Sequence, residues 1–466
     1  MPHAVYISYY DYQNYIQLHN MIPTYIINLK ERTERLAHIC SQFNDRPGFD
    51  LQIIEAVNHT VGAVGLWESM LSVIRLAQER NEEFILICED DHQFTPDYSA
   101  EKLQRCISEA RLRDADVLLG GIHWFNSMMG VAEDLIWVEK FTGTHFMIVY
   151  RKFFSTILAA DFLLTDDSDL KISELTDNKF VIFPFIAVQK EFGYSDIRPN
   201  GDIKDHSVIS SSEISLLIYQ LENVRRYYCS LLLPTVFLDN PDSNENVLPC
   251  YIIQTVESEE RKEFIQAQFR NKPEFETFTL DIDPPELRNA HLWRSHCKAI
   301  HHAIEHGYEV IVICGDDHLF TPDYSFTDLL KHIYGAYQQD VDMLIPGSID
   351  CGMVVPVAEG RLWVDNLLAT EFIIIFRVFF ETVLNYIFDA DKNDSYALSQ
   401  LTKNKMVLSP SVSGRKVFID EQSSGGADQF SVLLGQMSAR NEMRLSKLSS
   451  AYVKSLQRDN GKSESL

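Results

Sequence analysis

Apolar positions change their period along this chain in a regular order. "TYIINL", from Thr24, is short and almost continuously apolar, the pattern of a buried strand, and "ERTERLAHICSQF" then spaces Leu36, Ile39 and Phe43 at helical intervals. "LQIIEAV" from Leu51 reads as a second strand, "GLWESMLSVIRLAQER" from Gly65 as an amphipathic helix, and "EFILIC" from Glu83 as a third strand that is apolar throughout. Strands alternating with helices predict an α/β fold, a largely parallel sheet covered on both faces. Ligands of such sheets sit at the carboxyl ends of the strands. "EFILIC" ends where Glu89, Asp90, Asp91 and His92 begin, so this acidic cluster is expected at the lip of a ligand cleft.

The same order recurs. Shifted by 226 residues, the chain aligns with itself without a gap from Pro23 to Pro184, and about 59 of those 162 positions are identical. "PTYIINLKERTERLAHICSQF" from Pro23 falls on "PCYIIQTVESEERKEFIQAQF" from Pro249, "ICEDDHQFTPDYS" from Ile87 on "ICGDDHLFTPDYS" from Ile313, and "RKFFSTIL" from Arg151 on "RVFFETVL" from Arg377. Two copies of one Rossmann-like domain therefore stand in tandem. Each is followed by a helical segment, from Ser207 and from Ser431. The expected division is residues 1–238, a polar linker 239–249, a second domain 250–457, and a frayed tail 458–466.

Composition narrows the partners. The 466 residues carry 41 Lys plus Arg against 67 Asp plus Glu, a formal charge of -26, which disfavours nucleic acid as a partner. Eight cysteines occur without a CxxC pair, so neither structural zinc nor a disulfide framework is expected. No apolar run has the length of a transmembrane segment and the N-terminus has no signal-peptide pattern. A cytoplasmic setting is the expectation, with peripheral membrane contact left open.

A carboxylate pair at a strand end supplies hard oxygen ligands for Mn²⁺ or Mg²⁺, ions that also take up substrate phosphates. Glu89 and Asp91 are one residue apart and would face the same side of an extended strand. His92 is a candidate third ligand. The competing reading makes the Asp pairs turn or helix caps, but their placement after a buried strand in both copies lowers its weight. A calcium loop of D-x-D-x-D-G form is absent.

These residues together resemble the lipopolysaccharide-biosynthesis and procollagen-galactosyltransferase-like glycosyltransferases of family 25, which have the GT-A fold. The likeness spans roughly Pro23 to Ile197. It is carried by "IINLKERTERL" (Asn28, Arg32, Arg35), "GAVGLWESM" (Gly62, Gly65, Ser69), "ILICEDD", "TGTHFMIVYRKFF" from Thr142 and "FPFIAVQKEFGYSDI" from Phe183. The resemblance implies a nucleotide-sugar donor, a divalent metal held by the EDD turn, and transfer of the sugar to a glycan acceptor. It makes Asp91 the metal ligand, with Glu89 and Asp90 supporting the metal or the ribose. Asn28, Arg32, Arg35, Gly62 and Ser69 would line the nucleotide pocket. For Arg32 and Arg35 a solvated helix face is an equally good reading. Asp196 and Glu191 are candidates for a general base at the acceptor hydroxyl. Met70, Ala63 and Leu66 depart from the family's His, Glu and Cys.

The second copy keeps Ser295, His296, Asp316, Asp317 and His318. It has Gly315 for Glu89, Gln254 for Asn28, Ser258 for Arg32, and Arg288 and His291 for Gly62 and Gly65. Catalysis is therefore expected in the first domain. The alternative is a non-catalytic glycan-binding scaffold built from two decayed transferase domains. A two-metal phosphodiesterase would need a second carboxylate or histidine cluster, and none is evident. Trp67 and Trp293 are expected in the core, whereas His123 and Trp124, at the end of "DVLLGG", are acceptor-site candidates.

Overall fold

A computed structural model describes residues 21–193, 210–232, 247–255, 257–280, 288–418 and 426–463. Two compact units divide the chain, Met1–Gln220 and Leu221–Leu466. The division falls inside the helix Ser211–Ser230, upstream of the expected linker, most of which lies outside the described residues. The final helix runs from Gly426 to Ser463, through most of the tail read as frayed.

Among the described residues the first domain has twelve strands: β1 (Ile22–Asn28), β2 (Phe49–Glu55), β3 (Phe84–Glu89), β4 (His92–Phe94), β5 (Val117–Leu119), β6 (Trp124–Phe125), β7 (Met128–Ala132), β8 (Leu135–Val138), β9 (Phe141–Thr142), β10 (Phe146–Tyr150), β11 (Lys179–Ile182) and β12 (Ala187–Gln189). Eight of them form one sheet in the order β2-β1-β3-β10-β5-β11-β8-β7. All but β10 and β8 run in one direction. The α/β class and the first elements fall where the hydrophobic pattern puts them, with helices at Thr33–Phe43 and Gly62–Glu79 between the first three strands. Ile85, Leu86, Ile87 and Cys88 have no solvent exposure, which explains a strand without alternation. Each large aliphatic side chain so buried contributes about 1.5–3 kcal/mol.

The second domain repeats this sheet strand for strand. Its order is Phe275–Leu280, Leu248–Ile253, Val310–Gly315, Leu367–Phe376, Met343–Cys351, Lys405–Leu408, Arg361–Val364, Val354–Ala358. Trp67 stacks on Phe162 at 4.8 Å, and Trp293 on Phe388 at the same distance. Both tryptophans are core residues. Among the described residues no helix is long and apolar enough to cross a membrane.

Part of the repeated acidic turn is structural. Ser99 accepts from Lys102 N–H and caps the helix Ala100–Leu112; Ser325 caps Phe326–Gln338 through Asp328 N–H. The hydroxyls of Thr95 and Thr321 donate to the Phe185 and Ser411 carbonyls at 2.6 and 2.7 Å, holding the chain that leads into or out of the short second ribbon. That chain passes so close to the sheet that a methyl group at Gly121 or Gly347 would lie 2.1 Å from the Ala187 or Ser413 carbonyl oxygen. Only glycine fits at either place.

A buried lysine recurs as well. Lys405 Nζ donates to the carbonyls of Ser399 and Thr402 at 2.8 and 2.7 Å, closing the helix Asp394–Leu401, and Lys179 makes the same pair of bonds in the first domain. Burial lowers the Lys405 pKa to about 8. Lys405→Met leaves two helix-terminal carbonyls without a donor, so we expect a loss of about 2 kcal/mol at pH 7. Urea unfolding checks this, and an unchanged midpoint would show that the bonds contribute nothing.

Candidate functional site

β3 carries the acidic residues to the carboxyl end of the sheet. Its last residue, Glu89, donates its N–H to the His145 carbonyl at 3.2 Å, after which Asp90 and Asp91 turn the chain into β4. Asp90 and Asp91 are each 5% exposed. Buried carboxylates need partners, and the first helix supplies one. Arg35 Nη1 donates to Asp90 Oδ1 at 2.9 Å and to Asp91 Oδ2 at 3.1 Å, with Arg32 3.7 Å from Asp90. Gln189, at the end of β12, donates its amide to Asp91 Oδ2 at 2.7 Å. Asp91 Oδ1 is buried and has no hydrogen-bond partner in another residue.

Beside this pair lies a second cluster, in which Glu89 is joined by Thr144 and Asp169. The Thr144 hydroxyl is 2.8 Å from Glu89 Oε1 and 2.7 Å from Asp169 Oδ1. One hydroxyl carries one proton, so it can donate to only one of the two carboxylates. The other contact is a hydrogen bond only when that carboxyl is protonated. Burial and the charges of Asp91 and Asp169 push the Glu89 pKa well above the carboxylate range. Burial likewise raises Asp169 to about 6 and, against the pull of Gln189 and Arg35, raises Asp91. Ionised together, Glu89, Asp91 and Asp169 would hold more negative charge than their own surroundings neutralise.

The remaining sequence candidates fall in several places. His92 has its ring in an aromatic cage, 4.4 Å from Phe94 and 5.0 Å from Phe146, fully buried, with a pKa well below its usual value because of that burial. Both of its ring nitrogens are buried without a hydrogen-bond partner. Asn28 ends β1, buried, its amide on the Leu29 carbonyl at 2.7 Å and its Oδ1 without a partner. Gly62 opens the helix Gly62–Glu79, and Gly65 lets the following turn approach Val57, whose carbonyl oxygen would be 2.5 Å from an added methyl. Ser69 is spent internally, donating to the Gly65 carbonyl at 2.6 Å and accepting from Val57 N–H at 2.8 Å. Glu191 is exposed, and Asp196 lies outside the described residues. His123 stacks on His145 at 5.0 Å, and Trp124 stands 40% exposed beside it.

The second domain arranges its counterparts differently. Asp316 accepts from Arg261 at 3.0 Å and from both the N–H and the hydroxyl of Thr255. Asp317 pairs with Arg415 Nε at 2.8 Å, although burial still raises its pKa. His318 is buried, its Nδ1 3.0 Å from the Ser413 hydroxyl and its pKa lowered to about 3 by burial. His296 is buried too, its pKa lowered by burial against the opposing charge of Asp394. Thr144 and Gln189 lie in segments that carry the resemblance but have no role assigned there, and Asp169 lies in none of them. One signal was available: at the repeat offset Asp169 becomes Ser395 and Gln189 becomes Arg415, so two of the three change charge together with Glu89.

Among the described residues no group of three or more His, Cys, Asp and Glu side chains is arranged to hold a metal ion. No protein-family model matches the chain, and no curated protein matches it. Among solved structures it is similar to the mannose-1-phosphate geranyltransferase from Thermus thermophilus, at 8% identity and a TM-score of 0.18 over 35% of this chain and 73% of that one. A likeness of that size carries no argument.

Proposed function

We propose that the first domain is a glycosyltransferase moving a sugar from a nucleotide-sugar donor to a glycan acceptor of lipopolysaccharide or surface-polysaccharide type, with a Mn²⁺ or Mg²⁺ ion at the Glu89–Asp91 lip. The observation that carries this reading is Asp91 Oδ1, a buried carboxylate oxygen without a partner, next to carboxyls whose pKa values are raised by burial and mutual repulsion. Such an arrangement is costly on its own and is relieved by a cation. Mg²⁺-type ions commonly use one or two protein carboxylates and fill the rest of the shell with water and substrate phosphate, which fits this donor set. Asp91 would hold the ion, with Glu89 or Asp169 completing the protein's share.

Bound there, the ion would neutralise the departing diphosphate. Arg35 keeps Asp90 and Asp91 in place through two charge-assisted bonds, and Gln189 fixes the rotation of the Asp91 carboxylate. Arg32, 3.7 Å from Asp90, is placed to meet a phosphate. Asn28, with its buried, unpartnered Oδ1 at the neighbouring strand end, would accept from a base or ribose. Trp124, 40% exposed, offers a ring on which an acceptor sugar can stack.

The test is a panel of nucleotide sugars titrated against the whole chain with Mn²⁺ and then with EDTA. We expect one donor to bind in the presence of Mn²⁺ and to be released by EDTA. Absence of cation-dependent binding across the panel overturns the reading and leaves the scaffold alternative.

A further inference from the structure

The second domain carries histidines where the first has none. "HHAIEH", from His301, ends the helix Arg288–His306, and at the repeat offset it falls on "RLAQER" from Arg75. His302 and His306 are four residues apart, so they stand on one helix face, one turn from each other. Their ring centroids lie 3.9 Å apart, with the planes 21° from parallel. The helix leads into the amino end of the strand Val310–Gly315, so the pair sits at the opposite end of the sheet from Asp316 and Asp317.

Each ring is held through its Nδ1. His306 Nδ1–H donates to the His302 carbonyl at 2.8 Å. A carbonyl only accepts, so this nitrogen carries the proton and the neutral ring keeps its lone pair on Nε2. His302 Nδ1 lies 2.8 Å from the hydroxyl of Tyr251, which is buried on the strand Leu248–Ile253. When Nδ1 is the donor of that bond, His302 Nε2 holds a lone pair as well. Phe278, on the neighbouring strand, packs on the same imidazole with its centroid 4.8 Å away. Two strands therefore fix His302, while the exposed His306 can turn its Nε2 toward that of His302. Metal-binding histidines are oriented in this way, their second ring nitrogen tied to a carbonyl or a similar group. The first domain has none of it: Leu76 and Arg80 occupy the two positions, and Arg80 meets the matching tyrosine, Tyr25, at 3.5 Å.

We propose that His302 and His306 bind a divalent transition-metal ion, Cu²⁺ or Zn²⁺, through their Nε2 atoms, with water filling the remaining positions. Imidazole nitrogen suits these ions, whereas carboxylate oxygen suits Mg²⁺ and Mn²⁺, so this site and the acidic lip of the first domain select different metals. The proposal does not depend on the reading of that lip. A formal charge of -26 favours cations at the surface. His302, Glu305 and His306 also have the H-x-x-E-H spacing that zinc peptidases place on a helix. Catalytic zinc takes three protein ligands and structural zinc four. Among the described residues no third His, Cys, Asp or Glu completes the set here, so the site is an open one whose ion exchanges with solution.

The experiment titrates the whole chain, without an affinity tag, with Cu²⁺ in excess Mg²⁺, which occupies oxygen ligands, and follows the electron paramagnetic resonance spectrum. We expect a bound copper coupled to two nitrogens, displaced by excess Zn²⁺. His306→Gln, at an exposed position, should remove the two-nitrogen pattern and leave the unfolding curve unchanged. Tyr251→Phe keeps the core volume and removes the hydroxyl that orients His302, so it should weaken binding by about tenfold. Absence of a two-nitrogen copper signal, or a signal that survives His306→Gln, overturns the proposal. Asp91→Asn should leave the copper spectrum unchanged. Failure of Mn²⁺-dependent donor binding would count against the first-domain reading and would not touch this site.

Discussion

Asp91→Asn is expected to weaken cation-dependent binding of the nucleotide sugar on the order of a hundredfold, while Asp317→Asn leaves it within about twofold. The asymmetry follows from the partners of the two carboxylates. Asp91 has one oxygen shared by Arg35 and Gln189 and one with no partner, so its charge is only partly satisfied within the protein. Asp317 is paired with a guanidinium contributed by its own domain. Asparagine preserves the volume and keeps an oxygen for Gln189 and Arg35, so the fold is expected to survive. Donor titrations with Mn²⁺, alongside thermal unfolding of each variant, make the comparison. Equal losses at both positions would mean that both domains bind donor through a metal, and no loss at Asp91 would remove the proposed ion from this lip.

The parts of the site that lie within one motif were legible in the sequence. "EFILIC" followed by "EDD" places carboxylates at a strand end, and the helix after β1 brings Arg35 within reach because such a helix packs against the strands it connects. The repeat offset made the loss of Glu89 visible. Contacts made through topology were less accessible. Thr144 and Asp169 meet Glu89 only because β10 inserts antiparallel between β3 and β5 and the helix Ser168–Leu175 follows it. No local period announces that crossing. The setting of His92 was hidden from the sequence for a related reason. Next to three acids it reads as a ligand, yet its surroundings are Phe43, Phe94 and Phe146, drawn from three separate elements, and they decide its environment. The "FTPDYS" retained in both copies is largely a helix cap and a backbone tie, although in sequence it is continuous with the acidic signal.

If Glu89, Asp91 and Asp169 repel one another while no cation is bound, Glu89→Gln should make the protein more stable and less responsive to Mn²⁺. The sign follows from linkage. The Glu89 pKa in the folded protein is raised well above its unfolded value, and Asp169 is raised to about 6 from 3.8. The folded state therefore holds protons that the unfolded state has released. This contribution to stability is fully present below about pH 4 and is lost as pH rises through the folded-state values. Near pH 7.5 the unmodified protein bears this cost, either as repulsion between ionised carboxyls or as proton uptake on folding, and the variant does not. The expected gain is roughly 1–3 kcal/mol, or about 2–12 °C in Tm for a domain of this size. It should shrink toward zero at pH 4, where the glutamate is protonated in the folded state and largely so in the unfolded one. Mn²⁺ should raise the Tm of the unmodified protein at pH 7.5 and narrow the gap, because the ion relieves in one protein what the substitution relieves in the other. Thermal unfolding at both pH values, with and without Mn²⁺, reads all four quantities. A Tm unchanged by the substitution would show that the carboxyls do not repel one another. A raised Tm with an undiminished response to Mn²⁺ would place the ion away from Glu89 and leave Asp91 and Asp169 as its carboxylates.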